Sequence, residues 1–98
     1  MKTISSAELN KRISSGEVVN IIDVREAAEF RSRKIPNSMN FPLGLLEFRM
    51  NELDKNKEYI VVCQSGGRSS QAVKFLEYHG FHVTNMNGGM NSWEGKEE

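Results

Sequence analysis

Two rhythms of apolar residues alternate along this chain. Val18–Val24, interrupted only by Asn20 and Asp23, Tyr59–Val62 and Phe81–Met86 are short runs rich in β-branched and aromatic residues. Such runs predict buried strands. Between them, apolar residues recur three or four apart, the spacing of one helix face. Leu9 and Ile13 share such a face, opened by a Ser5–Glu8 capping box and closed at Gly16. Glu26 to about Arg31 predicts a short second helix. Leu43, Leu46, Met50 and Leu53 mark a third, and Ala72, Val73, Leu76 and His79 a fourth that runs from Ser69 and ends at Gly80. Thr3-Ile4 predicts a very short first strand, and Pro36 and Pro42 bracket another at Ser38–Phe41. Asn51–Glu58 reads as a loop. Gly88-Gly89 reads as a turn before a helical turn carrying Trp93, and Gly95–Glu98 as a frayed tail.

Strands that alternate with helices imply βαβ units, hence a mostly parallel sheet covered on both faces. In such sheets ligands bind beyond the carboxyl ends of the strands. Cys63 stands at one such end, and Asp23, Val24 and Arg25 stand at another. The predicted topology puts them on the same edge.

Composition narrows the classes of function. The 98 residues allow one domain, residues 1–98, with one core. Thirteen basic and thirteen acidic side chains cancel, so no global electrostatic footprint for nucleic acid or an anionic membrane exists. The single cysteine cannot form an internal disulfide, and the N-terminus carries no apolar stretch like a signal peptide. The expectation is a cytoplasmic monomer with no membrane segment. No Cys/His spacing makes a three-ligand metal site, and no cofactor is expected.

The chemistry concentrates in one place. Cys63 follows the strand Tyr59–Val62 and leads into Gln64-Ser65-Gly66-Gly67-Arg68-Ser69, too small and polar to pack a core. A strand, a glycine turn and a helix start place the sulfur among backbone N–H groups, which favour a thiolate. Arg68 adds a fixed positive charge or braces the loop. A histidine base does not fit. His79 lies about 15 Å along the helix at 1.5 Å per residue, and His82 opens a strand at the opposite sheet edge. Two reactions need a nucleophilic thiolate and an anion-holding loop but no histidine nearby. One transfers sulfane sulfur through a cysteine persulfide; the other hydrolyses a phosphate ester through a cysteinyl phosphate.

With these residues placed, the chain resembles the rhodanese family of sulfurtransferases in its small single-domain form, from about Ile4 to Trp93. The resemblance rests on Asp23-Val24-Arg25-Glu26 with Phe30, on Ile35-Pro36 leading to Asn40-Phe41-Pro42, and on Tyr59 through Ser69. It continues through Leu76, Gly80-Phe81, Val83, Gly88-Gly89-Met90 and Trp93. It implies a three-layer α/β/α sandwich with a five-stranded parallel sheet. It also implies a cysteine that takes sulfur from a small anionic donor such as thiosulfate and passes it to cyanide or a protein or small-molecule thiol. Carried over, Cys63 is the sulfur acceptor, and the backbone of Gln64, Ser65, Gly66, Gly67, Arg68 and Ser69 cradles the persulfide. Asp23 and Arg25 brace the loop from the neighbouring strand end, or Arg25 faces the donor. A relay module that hands persulfide between proteins is the alternative. A phosphatase or arsenate reductase comes third, because related phosphatases have a longer spacing than the four residues between Cys63 and Arg68 and carry a histidine where Val62 stands. The chain departs from the family pattern at Arg33-Lys34, where a Gly-His pair is usual, at Asn37-Ser38, where Gly-Ala is usual, and at Gly67, where several thiosulfate-using relatives have a larger or charged residue. Arg31, Arg33 and Lys34 read as a solvated basic face. Leu45 and Phe48, off the core face of their helix, are expected to be partly buried.

Overall fold

The computed structural model describes Met1 to Glu98. Its elements follow in the order β1 (Lys2–Ser5), α1 (Ser6–Ser14), β2 (Ile21–Asp23), α2 (Ala27–Ser32), β3 (Met39–Asn40), α3 (Leu46–Arg49), β4 (Glu58–Val62), α4 (Gly67–Tyr78) and β5 (His82–Asn87). The five strands form one sheet in the order β1-β5-β4-β2-β3, and every pairing is parallel. No helix is long and apolar enough to cross a membrane.

Strand alternation divides the core in two. Tyr59, Val61 and Cys63 point to one face of β4, where they pack with Ala72, Val73 and Leu76 of α4 and with Phe41, Leu46 and Leu53. Ile60 and Val62 point to the other, against Leu9 of α1, Met86, Met90 and Trp93. The period of two therefore aims the Cys63 side chain at the face that α4 covers.

Local differences from the sequence pattern have physical causes. Helix α1 starts as expected, with the Ser5 hydroxyl accepting the Glu8 N–H, but the reciprocal capping box forms between Glu26 and Glu29 at α2. Strand β2 begins at Ile21 and not Val18: the first paired residues are Ile21 and Ile60, and the Glu58 carbonyl at the start of β4 is taken by the Asn20 side-chain amide. Val18 is left 91% exposed. The helix expected over Leu43–Leu53 is broken into 3-10 turns at Leu43–Leu45 and Met50–Glu52 around the single turn of α3. Its ends are tied to the sheet edge, through the Leu43 N–H on the Val24 carbonyl and the Arg49 guanidinium on the Asn40 carbonyl. Leu45 and Phe48 on this segment are exposed, Phe48 by 84%. Asn37, standing where glycine is usual, adopts φ +67, a left-handed conformation that asparagine tolerates better than most residues. The tail is tied rather than frayed: Glu98 and Lys34 exchange backbone hydrogen bonds, Glu97 pairs with Arg33, and the Trp93 indole donates to the Lys96 carbonyl.

Candidate functional site

Strand β4 ends at Val62 and α4 begins at Gly67, two residues earlier than its amphipathic pattern suggested. Only Gln64, Ser65 and Gly66 lie between Cys63 and the first helical residue. Gly66 is the N-cap at φ +108, a conformation that an L side chain strains to adopt. This sharp turn folds the helix N-terminus back over the sulfur. The Gly66 N–H donates to Sγ at 3.0 Å, and the Ser69 hydroxyl lies 3.3 Å from Sγ and 3.1 Å from the Gly66 carbonyl oxygen. In the thiol form the S–H donates to the Ser69 oxygen, and the hydroxyl donates to Gly66. In the thiolate form the hydroxyl turns and donates to sulfur.

Burial pushes the Cys63 pKa up, yet the net shift is down from an ordinary thiol. Hydrogen bonds from the Ser69 hydroxyl and from the N–H groups of Ser69, Gly66 and Ser65 stabilise the thiolate and outweigh the desolvation. Bonds to a charged group contribute about 1.5–3 kcal/mol each, which is why several of them overcome burial of a single charge. Cys63 is only 1% exposed, so any opening above it is narrow.

Three braces hold the loop. Arg68, in the first turn of α4, makes a two-pronged pair with Glu29 of α2 at 2.6 and 2.9 Å. Its guanidinium hydrogen bonds draw the Glu29 pKa down to about 2. Arg25 is 2% exposed. Its Nε and Nη2 bond both Asp23 oxygens, Nη2 also bonds the Arg33 carbonyl, and Nη1 reaches Gln64 Oε1 at 3.3 Å. The third brace is backbone: Met90 N–H to the Cys63 carbonyl at 2.8 Å and Asn91 N–H to the Gln64 carbonyl at 2.9 Å. The Asn91 side chain also takes a hydrogen bond from Gln64 Nε2. Gly89 makes this approach possible, because a Cβ there would lie 2.3 Å from the Cys63 carbonyl oxygen.

Cys63, Gln64, Ser65, Gly66 and Ser69 thus come together around the sulfur, while Arg68, Arg25 and Asp23 act on the loop from its flanks. Gly67 is exposed at the helix start, with nothing within 4 Å of where its Cβ would be. Sequence reasoning missed Glu29, Gly89 and Asn91 as parts of the site. His82 pairs in register with Glu58, at the far end of β4 from Cys63. An open cleft of about 560 Å³, lined by residues such as Val18, Asn20 and His82, also lies at that far edge. That cleft and Cys63 lie at opposite ends of β4.

Comparison with known proteins places this geometry. The family model described as "Rhodanese-like domain" matches residues 5–96. YtwF of Bacillus subtilis, provisionally named a sulfurtransferase, is 41% identical over 96 residues, covering 98% of this chain and 93% of that protein. YrkF of the same organism, provisionally named a sulfur carrier protein, is 41% identical, and the match covers 97% of this chain and 52% of that protein. The crystal structure of a rhodanese-like domain protein from Staphylococcus aureus superposes with a TM-score of 0.92 at 34% identity, covering 98% of this chain and 94% of that one.

Proposed function

Because this chain belongs to the rhodanese-like domain family, we propose that it transfers sulfane sulfur through a persulfide on Cys63. The donor is a species such as thiosulfate or a persulfide, and the acceptor is cyanide or a thiol of a protein or small molecule. The observation that supports this reading is the cradle itself: a thiolate-stabilising set of N–H groups and one hydroxyl around a sulfur at the carboxyl end of a strand.

The chemistry follows from charge. The Cys63 thiolate attacks the outer sulfur of the donor. The donor S–S bond breaks, and the leaving group departs with its electron pair. Negative charge then sits one atom further out, on the persulfide. In the second step the acceptor attacks that terminal sulfur, and Cys63 leaves as a thiolate. A lowered pKa makes it a better leaving group, and neither step requires a general base. That suits a loop whose nearest charged neighbours are arginines and carboxylates. The small exposure of Cys63 also favours a reaction in which one terminal sulfur must reach Sγ over attack on a phosphorus centre with four substituents.

The relative named a sulfur carrier protein favours a second reading, in which the acceptor is another protein and free thiosulfate is a poor donor. Both readings share the first step. Intact mass after incubation with a sulfur donor tests it: a gain of one sulfur atom, reversed by reductant and absent in Cys63→Ser, is expected. Undiminished sulfur gain or thiocyanate production in Cys63→Ser refutes the assignment.

A further inference from the structure

We propose that Asn87-Gly88 is a self-modifying site: the Gly88 amide nitrogen closes on the Asn87 side chain, and the acid that results disarms the sulfur loop. This rests on Cys63 as the reactive group and not on which atom it transfers. Asn87-Gly88 is the one Asn-Gly pair in the chain, and a following glycine leaves the attacking nitrogen unshielded. Asn87 is the last residue of β5 and is exposed. On the β4 side the ladder stops at Val61 and Asn85, so only β1, through Ser5, holds Asn87 in the sheet. Its side-chain amide makes no hydrogen bond, and the Gly88 N–H has no acceptor.

Other asparagines lack this combination. The amides of Asn20 and Asn40 are engaged with backbone carbonyls, and after Asn37 the Ser38 N–H is bound to the Ile35 carbonyl. The fold requires the glycine at 88, which has φ +79 and whose Cβ would lie 2.3 Å from Ser92 Oγ. It places no such demand on residue 87.

The step needs only solvent water. The Gly88 nitrogen loses its proton and bonds to Asn87 Cγ, the Cγ–N bond of the side-chain amide breaks, and ammonia leaves with that proton. Water then opens the five-membered imide at either carbonyl. Opening at Cγ gives an aspartate; opening at the backbone carbonyl gives an isoaspartate, with one more atom in the main chain.

Both products act on Cys63. The extra atom adds about 1.5 Å of chain just before the segment whose Met90 and Asn91 N–H groups hold the Cys63 and Gln64 carbonyls at 2.8 and 2.9 Å. The new charge acts separately. Val83 faces α4 together with Val61 and Cys63, and alternation along β5 puts position 87 on the same face. It is level with Cys63, since Val61 pairs with Asn85. Neighbouring strands lie about 4.8 Å apart, so a carboxylate there disfavours the thiolate.

The test incubates the intact protein at mildly alkaline pH and maps its peptides by mass spectrometry. Asn87 is expected to convert to the acid forms at least about tenfold faster than any other asparagine. The modified protein, separated by anion exchange, should alkylate at Cys63 roughly threefold or more slowly at neutral pH. Asn87→Asp, which adds the charge without the extra atom, should move the alkylation profile to higher pH. Asn87→Gln, which would have to close a less favourable six-membered ring, should begin at the parent's rate and keep it through the incubation. Conversion at Asn87 no faster than elsewhere, or modified protein that alkylates like the fresh, overturns the proposal. Fresh protein that gains no sulfur from a donor, while modification still slows alkylation, overturns the sulfur-transfer reading alone.

Discussion

Replacing Gly89 by alanine should damage the sulfur loop although residue 89 carries no chemistry. Its φ of +56 costs an L-residue about 1–2 kcal/mol. The added Cβ would stand 2.3 Å from the Cys63 carbonyl oxygen and 2.6 Å from the Gln64 carbonyl carbon and oxygen. These are backbone atoms at the end of a central strand and cannot swing aside as a long side chain can. Relieving such overpacking costs about 1–3 kcal/mol, and parting the segments weakens the Met90 and Asn91 hydrogen bonds, at about 0.5–1.5 kcal/mol each. The loss sums to about 3–8 kcal/mol, a large part of an ordinary domain's stability. Gly66→Ala, with φ +108 and its nearest neighbour at 3.6 Å, should bear the conformational strain alone. Gly67→Ala meets nothing within 4 Å and should be neutral or stabilise by up to about 1 kcal/mol. Urea unfolding followed by fluorescence of Trp93, the only tryptophan, measures all three, and the alkylation rate of Cys63 reports the loop directly. Gly89→Ala within about 0.5 kcal/mol of the parent, with unaltered alkylation, would show that the close approach of residues 88–91 does not shape the loop.

Removing the Ser69 hydroxyl in Ser69→Ala should move the pH profile of Cys63 alkylation upward, since that bond favours the thiolate. An unmoved profile would exclude the hydroxyl as a thiolate donor. The depressed Cys63 pKa also links to stability. Its contribution is full above the ordinary thiol pKa and is lost as pH falls through the native one, so Ser69→Ala should narrow that window in pH-dependent urea unfolding. Arg25→Ala leaves Asp23 buried without its partner and should cost about 3–5 kcal/mol, whereas replacing both by leucine should cost clearly less; equal costs would argue against the pair as a unit. Glu29, held at about 2, contributes stability that is complete above its usual 4.5 and lost as pH falls through about 2. With a third of each side chain exposed, screening limits this to about 1 kcal/mol. Glu29→Gln should flatten acid unfolding over that interval, and an unchanged acid limb would contradict the assignment.

The parts legible in the sequence are those whose cause is local. Tyr59–Val62 could be read as a strand because both of its faces are apolar, and Gly66 as a turn because few other residues accept its φ. The loop could be recognised because one cysteine stands where such a strand meets such a turn. What escaped depends on partners distant in the chain. Glu29 lies 39 residues from Arg68, and nothing in the run Glu26–Ser32 marks it as the far end of that pair. Gly89 announces a turn but not the atom it will touch. Val18 and Val19 have strand composition, yet pairing stops before them, where the Asn20 side-chain amide takes the Glu58 carbonyl. The polar tail looked unanchored because its ties to Lys34 and Arg33 are largely backbone bonds and one surface ion pair, which composition does not reveal.

These distant partners divide the work at the sulfur in a definite way. The hydrogen bonds that hold the Cys63 pKa down come from neutral groups, the Ser69 hydroxyl and three backbone N–H groups. The nearby guanidinium charges are each matched by a carboxylate. Electrostatic stabilisation of the thiolate is thus mainly dipolar, short in range and shielded under the loop, where salt screens it little. The arginines serve mechanically: Arg68 fixes the helix start against α2, and Arg25 fixes Gln64 against β2, so that the dipoles keep their aim. A thiolate held by bare arginine charge would lose reactivity as ionic strength rises and would draw in any small anion. One held by aimed dipoles stays reactive in salt and leaves selection of the donor to the charge and width of the rim.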